Sequence, residues 1–265
     1  MEVITSAQNP KIKRLLELQQ KSQERRKSGL FVVEGRREIE RCINNGYVVD
    51  TLFWCPEIFG LEEPHADGAR VFQVSADIYN KVAYRGGTEG IIAEVVARQL
   101  TLEDLQLQDR ALVVVMESVE KPGNVGAVLR SADAANVDAV IVCDPLTDLF
   151  NPNTIRASLG TIFSLPVCAD SSETVVAWLK KHQFQIYAAI VDGAIHYTEA
   201  DFTRPCAIAL GSEAWGLTEQ FRGEGIQPIF LPMNGIADSL NVSTTAAILF
   251  YEALRQREKK ELKRV

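Results

Sequence analysis

Histidine is scarce in this chain: His65, His182 and His196 are the only three in 265 residues. None stands at metal-ligand spacing from another histidine or from a cysteine. A histidine-based metal centre and histidine acid–base chemistry therefore lack a basis, and no metal is expected. The five cysteines, Cys42, Cys55, Cys143, Cys168 and Cys206, are odd in number, far apart and without a C-x-x-C pair. Buried free thiols are the expectation that remains. No apolar run is long enough to span a bilayer. The first residues, Met1-Glu2-Val3-Ile4-Thr5-Ser6, lack the basic-then-apolar pattern of a signal peptide. A cytoplasmic protein with no membrane partner is the expectation. Internal repeats and low-complexity segments are also missing.

What is present is ordinary for a folded protein. Apolar residues make up 46% of the chain and charged residues 24%, enough for one large or two modest cores. The net charge of −7 argues mildly against a nucleic-acid partner, but the average hides an asymmetry. Lys11, Lys13, Arg14, Lys21, Arg25, Arg26, Lys27, Arg36, Arg37 and Arg41 crowd the first stretch. Arg255, Arg257, Lys259, Lys260, Lys263 and Arg264 make the tail basic again. Such patches are either solvated helix faces or phosphate contacts, and charge alone favours the former.

Hydropathy patterning predicts a small α/β unit first. Pro10–Gln20 reads as an amphipathic helix and Lys21–Gly29 as a polar segment. A strand over Leu30–Glu34 ends at Gly35, and Arg36–Asn45 is helical, closed by Gly46. Val48–Trp54, Val71–Val74 and Gly90–Val96 read as strands, Ser75 as a helix cap, and Arg85-Gly86-Gly87-Thr88 as a turn or flexible loop. Thr101–Arg110 is polar and acidic, so the expected division is 1–100, a linker over 101–110, and 111–265. Beyond the linker, strands at Ala111–Met116, Val137–Cys143, Gln185–Val191, Cys206–Leu210 and Pro228–Met233 are interleaved with helices near Val125–Ala135 and Ser171–His182. A last helix begins near Ser243. That alternation implies an α/β fold with a mostly parallel sheet and helices on both faces.

Four segments carry candidate site residues, and two of them, Gly211–Leu217 and Ser239–Ser243, hold polar clusters that neither a core nor a surface requires. Gly123-Asn124-Val125-Gly126…Arg130 follows a strand and resembles a dinucleotide turn, but the three-glycine fingerprint is incomplete. Read alone, Asn124 is a helix cap and Arg130 an exposed helix residue. In Asn153–Val167, Arg156 is either a solvated charge or an anion contact. Gly211-Ser212-Glu213-Ala214-Trp215-Gly216-Leu217 follows the run Cys206–Leu210, where a glycine lets backbone approach a ligand. Glu213 is alternatively a helix N-terminal acid, and Trp215 reads as a packing residue. In Leu231-Pro232-Met233 and Ser239-Leu240-Asn241-Val242-Ser243, Ser243 is a good N-cap, and the rest alone would be a loop.

Taken together, the segments resemble the SpoU/TrmH family of RNA 2′-O-ribose methyltransferases, of the SPOUT superfamily. The motifs are Asn124-x-Gly126-x-x-x-Arg130, Gly211-x-Glu213-x-x-Gly216, and Leu231-Pro232-Met233 with Ser239-Leu240-Asn241-Val242-Ser243; the likeness covers roughly Leu112–Arg255. Phe31-Val32-Val33-Glu34-Gly35 resembles the small substrate-binding domain often attached in this family. The resemblance implies a C-terminal trefoil knot, a homodimer, and S-adenosylmethionine as methyl donor to a ribose 2′-hydroxyl. Transferred position by position, it implies Gly211, Leu231, Met233, Leu240 and Asn241 at the cofactor. Arg130, Asn124, Glu213, Ser239 and Asn241 are implied in catalysis, and Arg156, Arg36 and Arg37 at the RNA. Ribosomal RNA is the favoured substrate, transfer RNA the alternative. Lys121, Asn136 and Ala214 depart from the common pattern. The rivals are a non-catalytic RNA-binding protein on the same fold and a nucleotide-dependent oxidoreductase.

Overall fold

A computed structural model describes residues 2–84 and 89–262, with side chains to Glu258. The expected turn at Arg85–Thr88 and the tail cations Lys259, Lys260, Lys263 and Arg264 lie outside the described residues or side chains. In chain order, the first half holds β1 (Glu2–Ile4), α1 (Pro10–Gln20), α2 (Ser22–Ser28), β2 (Leu30–Glu34) and α3 (Arg36–Asn44). Then come β3 (Val49–Trp54), α4 (Pro56–Phe59), β4 (Arg70–Val74), α5 (Ala76–Val82) and β5 (Ile91–Val96). The second half holds β6 (Leu112–Glu117), α6 (Pro122–Ala134), β7 (Ala139–Cys143), α7 (Pro152–Ala157), β8 (Val167–Asp170), α8 (Ser172–Lys181) and β9 (Gln185–Ala189). It ends with β10 (Ile195–His196), β11 (Cys206–Leu210), β12 (Ile226–Phe230) and α9 (Val242–Leu262). The polar stretch after α1 is thus helical, with Gly29 closing α2 in the left-handed conformation at φ 67°.

The chain divides into two compact units: Met1–Arg98 with Asp148–Ser164, and Gln99–Thr147 with Leu165–Val265. The first is built on a five-stranded sheet, order β1-β4-β3-β5-β2, parallel on one side and antiparallel where β5 joins β3 and β2. The returning segment Asp148–Ser164 is held there by aromatic contacts, Phe150 stacked on Phe31 and Phe163 edge-on to Tyr47. Phe150 lies 4.2 Å from Phe31, and Phe163 lies 5.2 Å from Tyr47, centroid to centroid. Buried Arg25 donates to Asp148 at 2.5 Å and to the Leu18 carbonyl at 2.6 Å. Several cations of the first stretch are engaged inside this unit. Arg14 pairs with Asp50 and Glu94, Lys11 with Glu2, and Lys21 with Glu17.

The second unit is a seven-stranded sheet in the order β10-β12-β9-β11-β6-β7-β8, every pair parallel. Its inner strands read as continuous apolar runs because both faces are covered. Along β6, Val113 and Val115 join a core with Val175 and Leu179 of α8, and the alternating Val114 and Met116 are equally buried. On α9, Val242, Ala246, Leu249, Phe250 and Ala253 are buried, and α9 packs on α6 and β11. Arg257 donates to the carbonyls of Phe202, Arg110 and Arg204, and Arg255 pairs with Glu252, so these two tail cations serve the fold. All five cysteines are free and buried. No helix of the described residues is long and apolar enough to cross a membrane.

Candidate active site

In a parallel α/β sheet, ligands gather outside the carboxyl ends of the strands. Here the ends of β9, β11 and β12 open into a cleft of about 420 Å³. Leu210, Ile229, Leu231 and Leu240 supply apolar wall, and Gly211, Ser212, Glu213 and Asn241 supply polar groups. Gly211, Leu231, Met233, Leu240, Asn241, Glu213 and Ser239 all line it. Sequence positions spread over 31 residues thus meet at one place because three parallel strands end there.

Gly211 is dictated by the loop itself. A Cβ on Gly211 would stand 2.1 Å from the Gly216 carbonyl carbon and 2.3 Å from the Leu217 nitrogen. The loop returns on itself through a pair of backbone hydrogen bonds between Ser212 and Gly216, at 3.2 and 3.0 Å. Gly216 turns at φ 68°, a conformation glycine enters without strain. The Trp215 N–H donates to Ser212 Oγ at 3.1 Å. This geometry throws the Trp215 ring outward: it is 88% exposed, so the packing role expected of it is wrong.

Asn124 is not the cap of α6 either. The helix starts at Pro122 with Lys121 as N-cap, which places Asn124 inside the first turn. Its Nδ2 donates to Glu213 Oε1. Its Oδ1 accepts from Asn241 Nδ2 at 3.3 Å. Asn241, rather than Ser243, caps α9: its Oδ1 accepts from the Ser243 N–H at 2.9 Å and from Ser243 Oγ at 2.6 Å. Ser239 Oγ reaches Asp238 Oδ1 at 3.4 Å.

Glu117, absent from the residues expected at the site, anchors the same loop. At the end of β6 it accepts from Ser172 Oγ at 2.7 Å, from the Thr218 N–H at 2.7 Å and from Thr218 Oγ1 at 2.6 Å. The available signal was an acid closing the otherwise apolar run Leu112–Met116. Lys121 also lines the cleft.

The remaining cations stand elsewhere. Arg130 is exposed on α6, six residues beyond Asn124, and is not among the cleft residues. Arg36, Arg37 and Arg156 belong to the other unit and are exposed. There Arg36 covers the Phe59 ring at 4.3 Å and Arg37 pairs with Glu38 at 2.5 Å. The Glu34 carboxyl is raised above its ordinary range by burial, opposed by the Tyr84 N–H and by the charge of Arg156.

Residues 111–251 match the model of the SpoU rRNA Methylase family, and residues 9–93 match an MRM3-like substrate binding domain. The chain belongs to the SpoU rRNA methylase family. It is 29% identical over 251 residues to the 23S rRNA (guanosine(2553)-2′-O)-methyltransferase RlmP of Bacillus subtilis, covering 95% of this chain and 98% of that protein. A crystal structure of an RNA 2′-O ribose methyltransferase is 38% identical, with a TM-score of 0.82 over 97% of this chain and 99% of the other. The AdoMet-bound rRNA methyltransferase of Sinorhizobium meliloti is 27% identical, with a TM-score of 0.87, covering 96% and 97%.

Proposed function

We propose that this chain transfers a methyl group from S-adenosylmethionine to a ribose 2′-hydroxyl of RNA, and that the RNA is ribosomal. The observation that carries the reading is the convergence of Asn124, Glu213 and Asn241 beside an apolar-walled cleft, in a chain of this family. The cleft suits a nucleoside-sized cofactor: Leu231 and Leu240 offer an apolar slot for adenine, and backbone around Gly211 and Met233 offers hydrogen-bonding groups. When bound, the sulfonium supplies an electrophilic methyl that leaves a neutral thioether behind. The protein's task is to position and activate a poor nucleophile.

Asn124, Glu213, Ser239 and Asn241 would orient the ribose and the cofactor loop. Arg130 cannot act as an ordinary base, because a guanidinium stays protonated. We assign it to the phosphate beside the reacting ribose, where it would polarise the hydroxyl while the proton leaves to phosphate or water. Its exposure on α6 suits a homodimer in which the partner's cleft receives it. Arg36, Arg37 and Arg156 would add phosphate contacts from the first unit, as a substrate-binding domain. The passage of β11 between β9 and β6, with β12 beyond β9, supports a trefoil knot in the C-terminal chain. Ribosomal RNA is favoured because the B. subtilis relative matches through both units. We place the protein in the cytoplasm as part of this reading.

The test is methyl transfer from labelled S-adenosylmethionine to unmodified ribosomal RNA, with the 2′-O-methyl site mapped. Cofactor binding without transfer to any RNA would favour a binding protein instead. An Arg130→Lys variant keeps the charge but loses the planar fork. Undiminished turnover in it would overturn the role given to Arg130.

A further inference from the structure

Trp215 is unexplained by the fold and by the cofactor cleft. A tryptophan offers a large apolar surface, and leaving it in water forfeits the stabilisation its burial would give. Here it is 88% exposed while Ser212, Glu213 and Gly216 on either side of it line the cleft. Its turn is nevertheless fixed. Gly211 has no room for a Cβ, two backbone hydrogen bonds close Ser212 on Gly216, and Trp215 N–H is bound to Ser212 Oγ. Glu117 holds Thr218 just beyond, and Asn124 holds Glu213 just before. A loop this constrained presents the indole at a set place rather than leaving it to find cover.

Two occupants could cover the ring: a base of the RNA or a second copy of the chain. The surroundings favour the base. Along the turn Ser212–Gly216, Trp215 is the only large apolar side chain, among serine, glutamate, alanine and glycine. A subunit contact wants contiguous apolar area. A stacking platform wants one flat ring with polar groups beside it, because a base pairs a π-face with polar edges. Chemistry adds the position. The reacting 2′-oxygen is on the carbon adjacent to the one that bears the base, so a ribose placed against the cleft carries its base to the rim.

Resting on the proposed RNA methyl transfer, we infer that Trp215 is a substrate-binding residue that stacks on a nucleobase at or next to the methylated nucleotide. The π-face accepts any base, so Trp215 contributes affinity and placement rather than the choice of base.

The chain contains two other tryptophans, Trp54 and Trp178, both buried, so fluorescence quenching by RNA reports chiefly on Trp215. The probes are S-adenosylmethionine, a mixed-sequence single-stranded RNA 12-mer, and unmodified ribosomal RNA transcripts. The 12-mer should quench wild type and not Trp215→Ala. In Trp215→Ala the KM for the transcripts, or the Kd for the 12-mer, should rise between about fivefold and a hundredfold. Cofactor affinity should stay within twofold, and Trp215→Phe should restore most of the RNA affinity. Unchanged RNA affinity in Trp215→Ala overturns the inference. So does a change of sedimentation from dimer to monomer, which would assign the ring to a subunit contact. If wild type binds cofactor but methylates nothing, the functional reading fails, and 12-mer binding still decides the role of Trp215.

Discussion

Asn241 donates its Nδ2 to Asn124 Oδ1 across 3.3 Å, joining the cap of α9 to the first turn of α6. The direction of this bond is set from both ends. A carboxylate at Glu213 only accepts, so Asn124 must turn its amide nitrogen to Glu213 and its oxygen to Asn241. Asn241 must then donate, which leaves its oxygen for the Ser243 N–H. One line of polarity runs from the α9 terminus to the cleft.

That line separates two roles of Asn241. Asn241→Ala removes the cap and the donor together and should cost about 1 kcal/mol of stability. Asn241→Asp keeps a capping oxygen but loses the donor to Asn124. Thermal melts should leave the Asp variant near wild type and lower the Ala variant, while both lose at least tenfold in methyl transfer. An active Asp variant would show that the donor to Asn124 is dispensable.

Gly211 and Gly123 predict opposite outcomes for the same change. At Gly211 an added Cβ meets backbone at 2.1 Å, so the loop must shift. Gly211→Ala should weaken cofactor binding by calorimetry at least tenfold and destabilise by about 1–3 kcal/mol. At Gly123 nothing lies within 4 Å of an added Cβ, and the residue is already helical. Gly123→Ala should be neutral or stabilise by up to about 1 kcal/mol. Equal effects at both positions would refute the crowding argument.

Glu117 should matter to stability although it is not among the cleft residues. Its carboxylate is buried with three donors from Ser172 and Thr218. Glu117→Ala should cost about 3 kcal/mol, because donors to a charged acceptor are left unmet. Glu117→Gln should cost less, since the two hydroxyls can rotate to accept from the new amide. Denaturant unfolding of the three proteins checks the order, and equal midpoints would remove Glu117 from this role.

Much of the fold was legible because its strands announce themselves locally. Cys206–Leu210 coincides with β11, a run of apolar residues closed by glycine. β12 begins two residues before the sequence expectation, since its register follows β9, with Ile226 opposite Ile186. Pro228 fits because β10 meets β12 only at Ile229 and Phe230, leaving that side of the proline unpaired. Ser243 is the cap the sequence suggests, but α9 starts one residue earlier, at Val242, so that Asn241 is the cap and Val242 is buried. The exposure of Trp215 follows from turn geometry that composition does not reveal. The docking of Asp148–Ser164 on the first unit rests on Phe31 and Phe150, more than a hundred positions apart, and no local pattern encodes such a contact.

The buried thiols predict the alkaline limit of the fold. Burial pushes Cys42 and Cys168 up to about 12 and Cys55 and Cys206 up to about 11, and raises Cys143 further. In the unfolded chain a thiol ionises near pH 8.5. The folded protein therefore holds more protons between these values, and stability must fall as pH rises. The contribution is complete below about pH 8.5 and is lost progressively toward the folded values, at about 2 kcal/mol per fully buried thiol by pH 10. Urea midpoints measured from pH 7.5 to 10.5 should decline steadily above pH 8.5. Replacing Cys42 and Cys168 together by alanine removes two titrating groups, so that variant, although less stable at pH 7.5, should show a shallower decline. At pH 8 a thiol reagent should label no cysteine in the folded protein and all five in urea. A flat stability profile, or rapid labelling of the native state, would contradict the burial of these side chains.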